Sequence, residues 1–329
     1  MSDKLPLGSR DDLCRDRSRC LRVRFNESSC NRCAAVCPSN ALSLEEGLVI
    51  DSGLCSGCLL CSSVCPTGAL EISTDFLACV SQLSKVPEPV LVCCRTREQA
   101  NGWLACLGGL SDEHLLHLSR RLNGVLTLNI SRCKECPNSS MLPLVRTRLE
   151  NLAPGGSCHI VAVETAGAVR HREETVDRRS FFKSFRTSLF QTAAAVMSAG
   201  SQETERSTEY IAKRLPNRRT LLNMVLEQMD PSVKQEMEER FFGRITFSEA
   251  CTACQACAAI CPTGALKKNP EDSEASPLFD PAACTTCGLC VEFCWYRALL
   301  PVNFTAKQRE PEEVDCTQEY DDTYYAGEE

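Results

Sequence analysis

Cysteines at short, regular intervals dominate the C-terminal part of the chain. Residues 251–262 read C-T-A-C-Q-A-C-A-A-I-C-P, and residues 284–294 read C-T-T-C-G-L-C-V-E-F-C. Three thiolates at steps of three residues can close around one iron–sulfur cube, whereas the fourth, displaced by the turn at Pro262, reaches a different cube. Two such runs therefore predict crossed ligation. The expected ligands are Cys251, Cys254, Cys257 and Cys294 for one [4Fe–4S] cluster, and Cys284, Cys287, Cys290 and Cys261 for the other.

This run resembles the bacterial-type ferredoxin that carries two [4Fe–4S] clusters. The residues P-T-G-A-L after Cys261 match the usual continuation of that family, and Trp295 stands where the family normally has a second proline. Zinc is the alternative for any C-x-x-C pair, but a zinc site usually takes its four ligands as two pairs separated by a finger-sized loop. The thiols here come as triplets plus one, and the chain has only 4 His for mixed sites.

A second cysteine run lies near the N-terminus and indicates an internal duplication. Residues 55–70 read C-S-G-C-L-L-C-S-S-V-C-P-T-G-A-L and nearly repeat the C-terminal run. Residues 30–38, C-N-R-C-A-A-V-C-P, have the last three positions of the pattern, with Glu27 in the place of the first cysteine. Carried over by position, the resemblance implies one complete [4Fe–4S] site, whose ligands are Cys37, Cys55, Cys58 and Cys61.

The other N-terminal site lacks one ligand of the pattern. It has Cys30, Cys33 and Cys65 and needs a fourth. We expect Cys20, because it lies within the reach of one loop upstream. Cys14 is the second choice, and a three-iron cluster or an iron with an open coordination position is the third.

The pattern changes between the two cysteine-rich ends. A short apolar run ends at Cys93 and Cys94, Ser111 precedes a helical pattern, and residues 125–130 and 159–163 read as further strands. A second helix is expected through residues 142–152. Strand, helix, strand, helix, strand is typical of a small parallel α/β domain.

That topology predicts a cysteine site at one edge of the sheet, because ligands bind beyond the carboxyl ends of parallel strands. The spacing loosely resembles that of the iron–sulfur delta subunit of methyl-viologen-reducing hydrogenases. We expect a further redox centre, a [2Fe–2S] or [4Fe–4S] cluster, with zinc, a thiol/disulfide pair or plain apolar packing as alternatives. The thiols expected to converge are Cys94, Cys106, Cys133 and Cys136.

Length and composition agree with a metalloprotein of several units. The chain has 329 residues, 25 Cys and a net charge of −7, which disfavours nucleic acid as a partner. The predicted fold class is α+β, with two ferredoxin-like domains flanking the α/β domain and a helical linker. The predicted segments are 14–80 and 243–305 for the ferredoxin-like domains, 86–165 for the α/β domain, 166–242 for the linker, and 306–329 for an acidic disordered tail.

These features predict an electron carrier with four [4Fe–4S] clusters, a polyferredoxin-like subunit of an oxidoreductase complex. No G-x-G-x-x-G follows a predicted strand, so the sequence does not support flavin or nicotinamide binding by this chain. Its partners would be a redox donor or acceptor and a separate catalytic subunit. Cluster thiolates must stay reduced, so we expect a cytoplasmic location or an anaerobic organism. No apolar stretch is long enough to predict a membrane span. The alternatives are an oxidoreductase that reduces disulfides or sulfur compounds at the central cysteines, and a redox sensor.

Overall fold

The computed structural model describes residues 12–73, 75–96, 98–152, 158–169, 213–272 and 274–302. The N-terminal unit consists of short elements wrapped around its cysteines. Its strands are β1 (Leu13–Arg15), β2 (Leu42–Ser43), β3 (Val49–Ile50) and β4 (Leu70–Ile72), and its helices are α1 (Leu21–Arg24), α2 (Arg32–Ala35) and α3 (Leu60–Val64). An outer antiparallel pair, β1 with β4, encloses an inner antiparallel pair, β2 with β3.

A parallel sheet occupies the middle of the molecule, as the sequence predicts. Its elements are α4 (Phe76–Leu83), β5 (Val90–Cys93), β6 (Gly102–Leu104), α5 (Asp112–Arg121), β7 (Gly124–Asn129), α6 (Leu142–Glu150) and β8 (Cys158–Val163). Within the described residues the strand order is β6-β5-β7-β8, and every pairing is parallel. The mixture of helices and strands with a central parallel sheet confirms that part of the predicted fold class.

One strand of this sheet was not predicted. Residues 102–104 were expected in a loop, but they form the edge strand β6, with Leu91 opposite Gly102 and Cys93 opposite Leu104. Three residues are too few to show an alternating pattern. A Cβ on Gly102 would lie 2.9 Å from Leu83 Cδ2, so glycine at this position lets the Leu83 side chain of α4 pack closely against the edge strand.

Leucine side chains fill the space between the sheet and its helices. Leu91, Leu118, Leu126 and Leu128 have no exposed surface. Ser111 caps α5 by accepting a hydrogen bond from the backbone N–H of His114, as its position in the sequence predicts. The same apolar cluster includes Cys58, Leu59 and Leu60 of the N-terminal unit, so that unit and the sheet share one core.

The contact between that unit and the sheet depends on a glycine. Gly108 lies in a 3₁₀ turn formed by Leu107–Gly109, and a Cβ added to it would lie 2.3 Å from the carbonyl oxygen of Cys58. Any other residue would push the two backbones apart. The turn that carries Cys106 therefore lies directly against the loop that carries Cys58.

Two helices follow in the described part of the predicted linker. They are α7 (Asn217–Leu226), which begins after Pro216, and α8 (Pro231–Phe241). Leu222 of α7 packs in one apolar cluster with Leu116 of α5 and Phe242. The remaining predictions for residues 170–212 and for the acidic tail lie outside the described residues.

The C-terminal unit repeats the plan of the N-terminal unit. Its elements are β9 (Arg244–Phe247), α9 (Ala256–Ile260), β10 (Leu266–Lys267), β11 (Leu278–Phe279), α10 (Leu289–Glu292) and β12 (Leu299–Val302). An outer antiparallel pair, β9 with β12, again accompanies an inner pair, β10 with β11. None of the helices in the described part of the chain is long and apolar enough to cross a membrane.

Candidate metal centres

The structure gathers the C-terminal cysteines into two groups that follow the crossed pattern. Burial raises the pKa of Cys257 to about 11, and the charges on Cys254, Cys294 and Cys251 act on it in the same direction. Burial likewise raises the pKa of Cys287 to about 12, with added repulsion from Cys261 and Cys284. We call these the outer C-terminal group and the inner C-terminal group. Their members are Cys251, Cys254, Cys257 and Cys294 for the outer group, and Cys261, Cys284, Cys287 and Cys290 for the inner group.

The N-terminal cysteines form two comparable groups. Burial raises the pKa of Cys61, and the thiols of Cys58, Cys55, Cys33 and Cys37 add repulsion. Three of these neighbours, Cys37, Cys55 and Cys58, complete a group of four with Cys61. Cys33 belongs to the adjacent group, so the two N-terminal groups are close enough for their charges to interact.

Cys20 lies with the incomplete N-terminal set. Burial raises the pKa of Cys33 to about 12, and the charges on Cys65, Cys30 and Cys20 raise it further. Cys20 is buried just before α1, whereas Cys14 is exposed in β1 opposite Glu71. The structure thus gives this group four thiols, Cys20, Cys30, Cys33 and Cys65.

Backbone turns in the left-handed region bend the chain around these thiols. The non-glycine residues Leu59, Gln255 and Thr286 have φ values of 59°, 61° and 50°. Such backbone is costly without glycine and persists where the surroundings enforce it. Each of these residues lies one position from a cysteine of a group, so the strained backbone coincides with the loops that carry the thiols.

Backbone N–H groups point at several of the sulfurs. Ala41 N–H donates to Cys37 Sγ at 3.3 Å, and Ala298 N–H donates to Cys294 Sγ at 3.4 Å. In both cases the donor is four residues after the last cysteine of a run, although Cys37 ends the first run of its unit and Cys294 ends the second run of the other unit. Donors of this kind favour the thiolate form and tune a bound cluster.

These groups fit an iron–sulfur cluster chemically. Buried thiols with raised pKa values stay protonated at neutral pH, and their mutual repulsion opposes ionisation. A bound cationic core would reverse both effects, because metal ligation requires and stabilises thiolates. Among the described residues, no three His, Cys, Asp or Glu side chains lie close enough to hold a single metal ion. The sulfurs around a cube stand farther apart than those around one ion, so that finding concerns single-ion sites.

The central site differs from the prediction by one cysteine. Burial raises the pKa of Cys133 to about 12, and the charges on Cys93, Cys106 and Cys136 contribute. Cys94 was expected in this group; it is exposed just after β5 and interacts with Cys79 as well as with Cys93. Neighbouring residues of an extended chain point to opposite sides, so the buried Cys93 fits the group better than Cys94. The central group is therefore Cys93, Cys106, Cys133 and Cys136.

The central group lies at the carboxyl edge of the sheet. Cys93 ends β5, Cys106 follows β6, and Cys133 follows β7. Asn138 is buried beside them and donates from its side chain to Cys106 Sγ at 3.9 Å. The charge on Cys58 also acts on Cys106, which brings the central group near the N-terminal unit.

The sequence pattern did not predict that two arginines lie beside the thiols. Arg32 is flanked by Cys30 and Cys33 in the sequence, and its charge lowers the pKa of Cys30 against the effect of burial. Arg219 of α7 is buried and acts in the same way on Cys284. The position of Arg32 between two cysteines of a C-x-x-C step could have predicted its place beside the thiols. Arg219 comes from a distant segment, and no sequence pattern links it to Cys284.

Trp295 does not shield the outer C-terminal group. Its side chain is 92 % exposed, although it directly follows Cys294. Cys254 of the same group is also exposed. Among the four cysteine groups at the two ends, the outer C-terminal group is therefore the most exposed to solvent.

The family model of the 4Fe-4S dicluster domain matches residues 28–69 and 250–298. Both ends of the chain thus match ferredoxin-type iron–sulfur domains. The matched regions contain the expected ligands except Cys20, and the central group lies outside them. No curated protein and no solved structure matches the chain significantly, and the resemblance of the central domain to the hydrogenase delta subunit gains no support.

Proposed function

We propose that this protein is a polyferredoxin-like carrier that passes single electrons between a redox donor and a separate catalytic oxidoreductase subunit. The two dicluster matches support an iron–sulfur electron-transfer role. The observation that carries the proposal further is the arrangement of the thiols. Cys33 and Cys61 belong to different N-terminal groups but interact, and so do Cys257 and Cys290 in the C-terminal unit.

The residues of the chain have three tasks in this role. Sixteen thiols would hold four [4Fe–4S] clusters, which exchange one electron each with little change in geometry. Backbone donors such as Ala41 N–H and Ala298 N–H would tune them, and burial would keep water away. A reducing cytoplasm or an anaerobic host suits such thiols.

Stepwise reduction followed by electron paramagnetic resonance tests this proposal. Anaerobically purified protein should show reducible [4Fe–4S] signals, and the reduced protein should pass its electrons to a one-electron acceptor without a further catalyst. A protein that contains clusters but cannot be reoxidised by any one-electron acceptor would contradict the carrier role.

The central group supports a second candidate. Its four thiols lie at the ligand-binding edge of the sheet, where a further cluster or a disulfide-reducing site would be placed. A cluster there predicts about two to four additional irons per chain, lost in Cys93→Ser and retained in Cys94→Ser. Reduction of a disulfide to two thiols by the isolated protein, with electrons from an added one-electron donor and with loss of activity in Cys133→Ser and Cys136→Ser, would instead favour the enzyme.

A further inference from the structure

The two ferredoxin-like units touch each other through residues that lie 254 and 263 positions apart in the sequence. The rings of Phe25 and Phe293 meet edge to face, with centroids 5.3 Å apart. The backbone N–H of Ser29 donates to Glu292 Oε1 at 3.3 Å, and the Ser29 hydroxyl donates to the same oxygen. We call this contact the junction. Its residues are Phe25, Ser29, Arg32, Thr286, Glu292 and Phe293.

Arg32 is the cation of the junction, which also contains the carboxylate of Glu292. Its Nη2 donates to the carbonyl oxygen of Thr286 at 2.9 Å, and Thr286 directly precedes Cys287. In its own unit Arg32 lies between Cys30 and Cys33 in the sequence. One guanidinium thus bridges a thiol group of the N-terminal unit and the inner C-terminal group.

The electrostatics agree with this position. Burial lowers the pKa of Arg32, while the charges on Cys30 and Cys287 oppose that effect. The two thiols belong to different units, so the cation interacts with both groups. A guanidinium stays charged at any physiological pH, and a half-buried pair is screened less than one in water.

We infer that Arg32 is a positioning residue that holds the two units together and sets the reduction potentials of one N-terminal and one C-terminal cluster jointly. The inference rests on the proposed electron-transfer function. Reduction of either centre adds one electron from an external one-electron donor, and transfer across the junction oxidises one centre as it reduces the other. No bond forms or breaks. A shared cation stabilises the added negative charge on either side, so its removal should lower both potentials.

Three variants test this in the full-length chain. R32Q removes the charge, R32K keeps a charge without the planar fork, and R22Q is the matched control. Arg22 donates to the carbonyl oxygen of Cys30 at 3.2 Å and its charge acts on Cys20, so it faces the N-terminal unit alone. Potentials are measured by redox titration with paramagnetic resonance, and Cys33→Ser and Cys290→Ser identify the two junction signals.

R32Q should lower two potentials, one in each unit, whereas R22Q should lower one at most and R32K should stay near the wild type. No shift in R32Q, or a shift in one unit only, would overturn the inference. If the R32Q variant fails to take up iron, the redox titration of the wild-type protein becomes the test. In the wild type, reduction of one junction centre should make the other centre harder to reduce. Two independent transitions would overturn the inferred coupling across the junction. A wild type without iron and sulfide would instead contradict the proposed function itself.

Discussion

The ends of the chain and its middle bury different kinds of side chain. Cysteine and alanine make up most of the buried cluster in the C-terminal unit, among them Cys257, Ala258 and Cys284. Leucine dominates the cluster around the central sheet. The strands of the ends have two to four residues, whereas β7 and β8 have six.

This difference shows what stabilises each region. A unit of about sixty residues buries too little apolar surface to fold strongly alone, and metal ligation can supply the missing free energy. The central sheet has a leucine core, to which the N-terminal unit adds Cys58, Leu59 and Leu60. We therefore expect the ends to depend on iron and the middle to depend on packing.

Removal of iron should separate the two regions most clearly. In the iron-free protein, backbone amides of the β9/β12 pair should lose their protection against hydrogen exchange, because their unit loses its metal ligation. Amides of Leu126 and Leu128 in β7 should stay protected. Hydrogen exchange followed by mass spectrometry measures the protection of both sets of amides in one experiment. Equal loss of protection in the two sets would contradict the claim that only the ends depend on iron.

Loss of a single ligand should affect one group of one end. Cys20→Ser should lower the iron content by up to about four atoms per chain, because the N-terminal group would lose its fourth thiol. Cys14→Ser is the matched control and should keep the full content, since Cys14 is exposed in β1. The reverse pattern of iron loss would make Cys14 the ligand.

A cavity in the leucine core should act mainly on the middle. Leu118 has no exposed surface, and Leu118→Ala should reduce the free energy of unfolding by about 2–5 kcal/mol. Chemical unfolding followed by circular dichroism measures this cost. The iron content of the folded fraction should stay at the wild-type value, and a loss of iron that matches the loss of stability would show that iron binding depends on the packing of this core.

Mild acid should also weaken the middle. Burial lowers the pKa of His114 to about 4, although the charge on Glu113 opposes this, and its ring packs edge to face on Phe76. A folded-state pKa below the unfolded value of about 6.5 contributes stability above pH 6.5 that is lost as the pH falls towards 4. The full loss is on the order of 3 kcal/mol.

Unfolding midpoints at pH 7 and pH 5.5, with iron content followed in parallel, check this effect. His114→Asn should reduce the dependence and leave the share of His117, whose pKa is also lowered by burial, whereas His159→Gln on the exposed side of β8 should keep it whole. A dependence that is undiminished in His114→Asn would assign the acid sensitivity to other groups.

Much of the cysteine arrangement could be predicted because its information is local. Steps of three residues separate Cys251, Cys254 and Cys257, and a proline follows Cys261, so spacing alone indicates which thiols group together. The choice between Cys93 and Cys94 could not be made this way. It depends on which face of β5 meets the turn that carries Cys106, and that is decided by tertiary packing.

Contacts between distant segments were also beyond the sequence pattern. Arg32 donates to Thr286 across 254 positions, and no periodicity links the two. The edge strand β6 was missed because three residues give no alternation, and its place depends on the packing of Leu83 against Gly102. Local spacing is thus enough to predict groups of thiols, whereas the contacts between those groups required the structure.

Iron and acid-labile sulfide per chain, measured on anaerobically purified protein together with its paramagnetic resonance spectrum after reduction, tests the central claim most directly. Four clusters in two ferredoxin-like units predict about sixteen irons and as many sulfides, with about two to four more irons if the central group holds a cluster. A colourless, fully folded protein without sulfide would contradict the account.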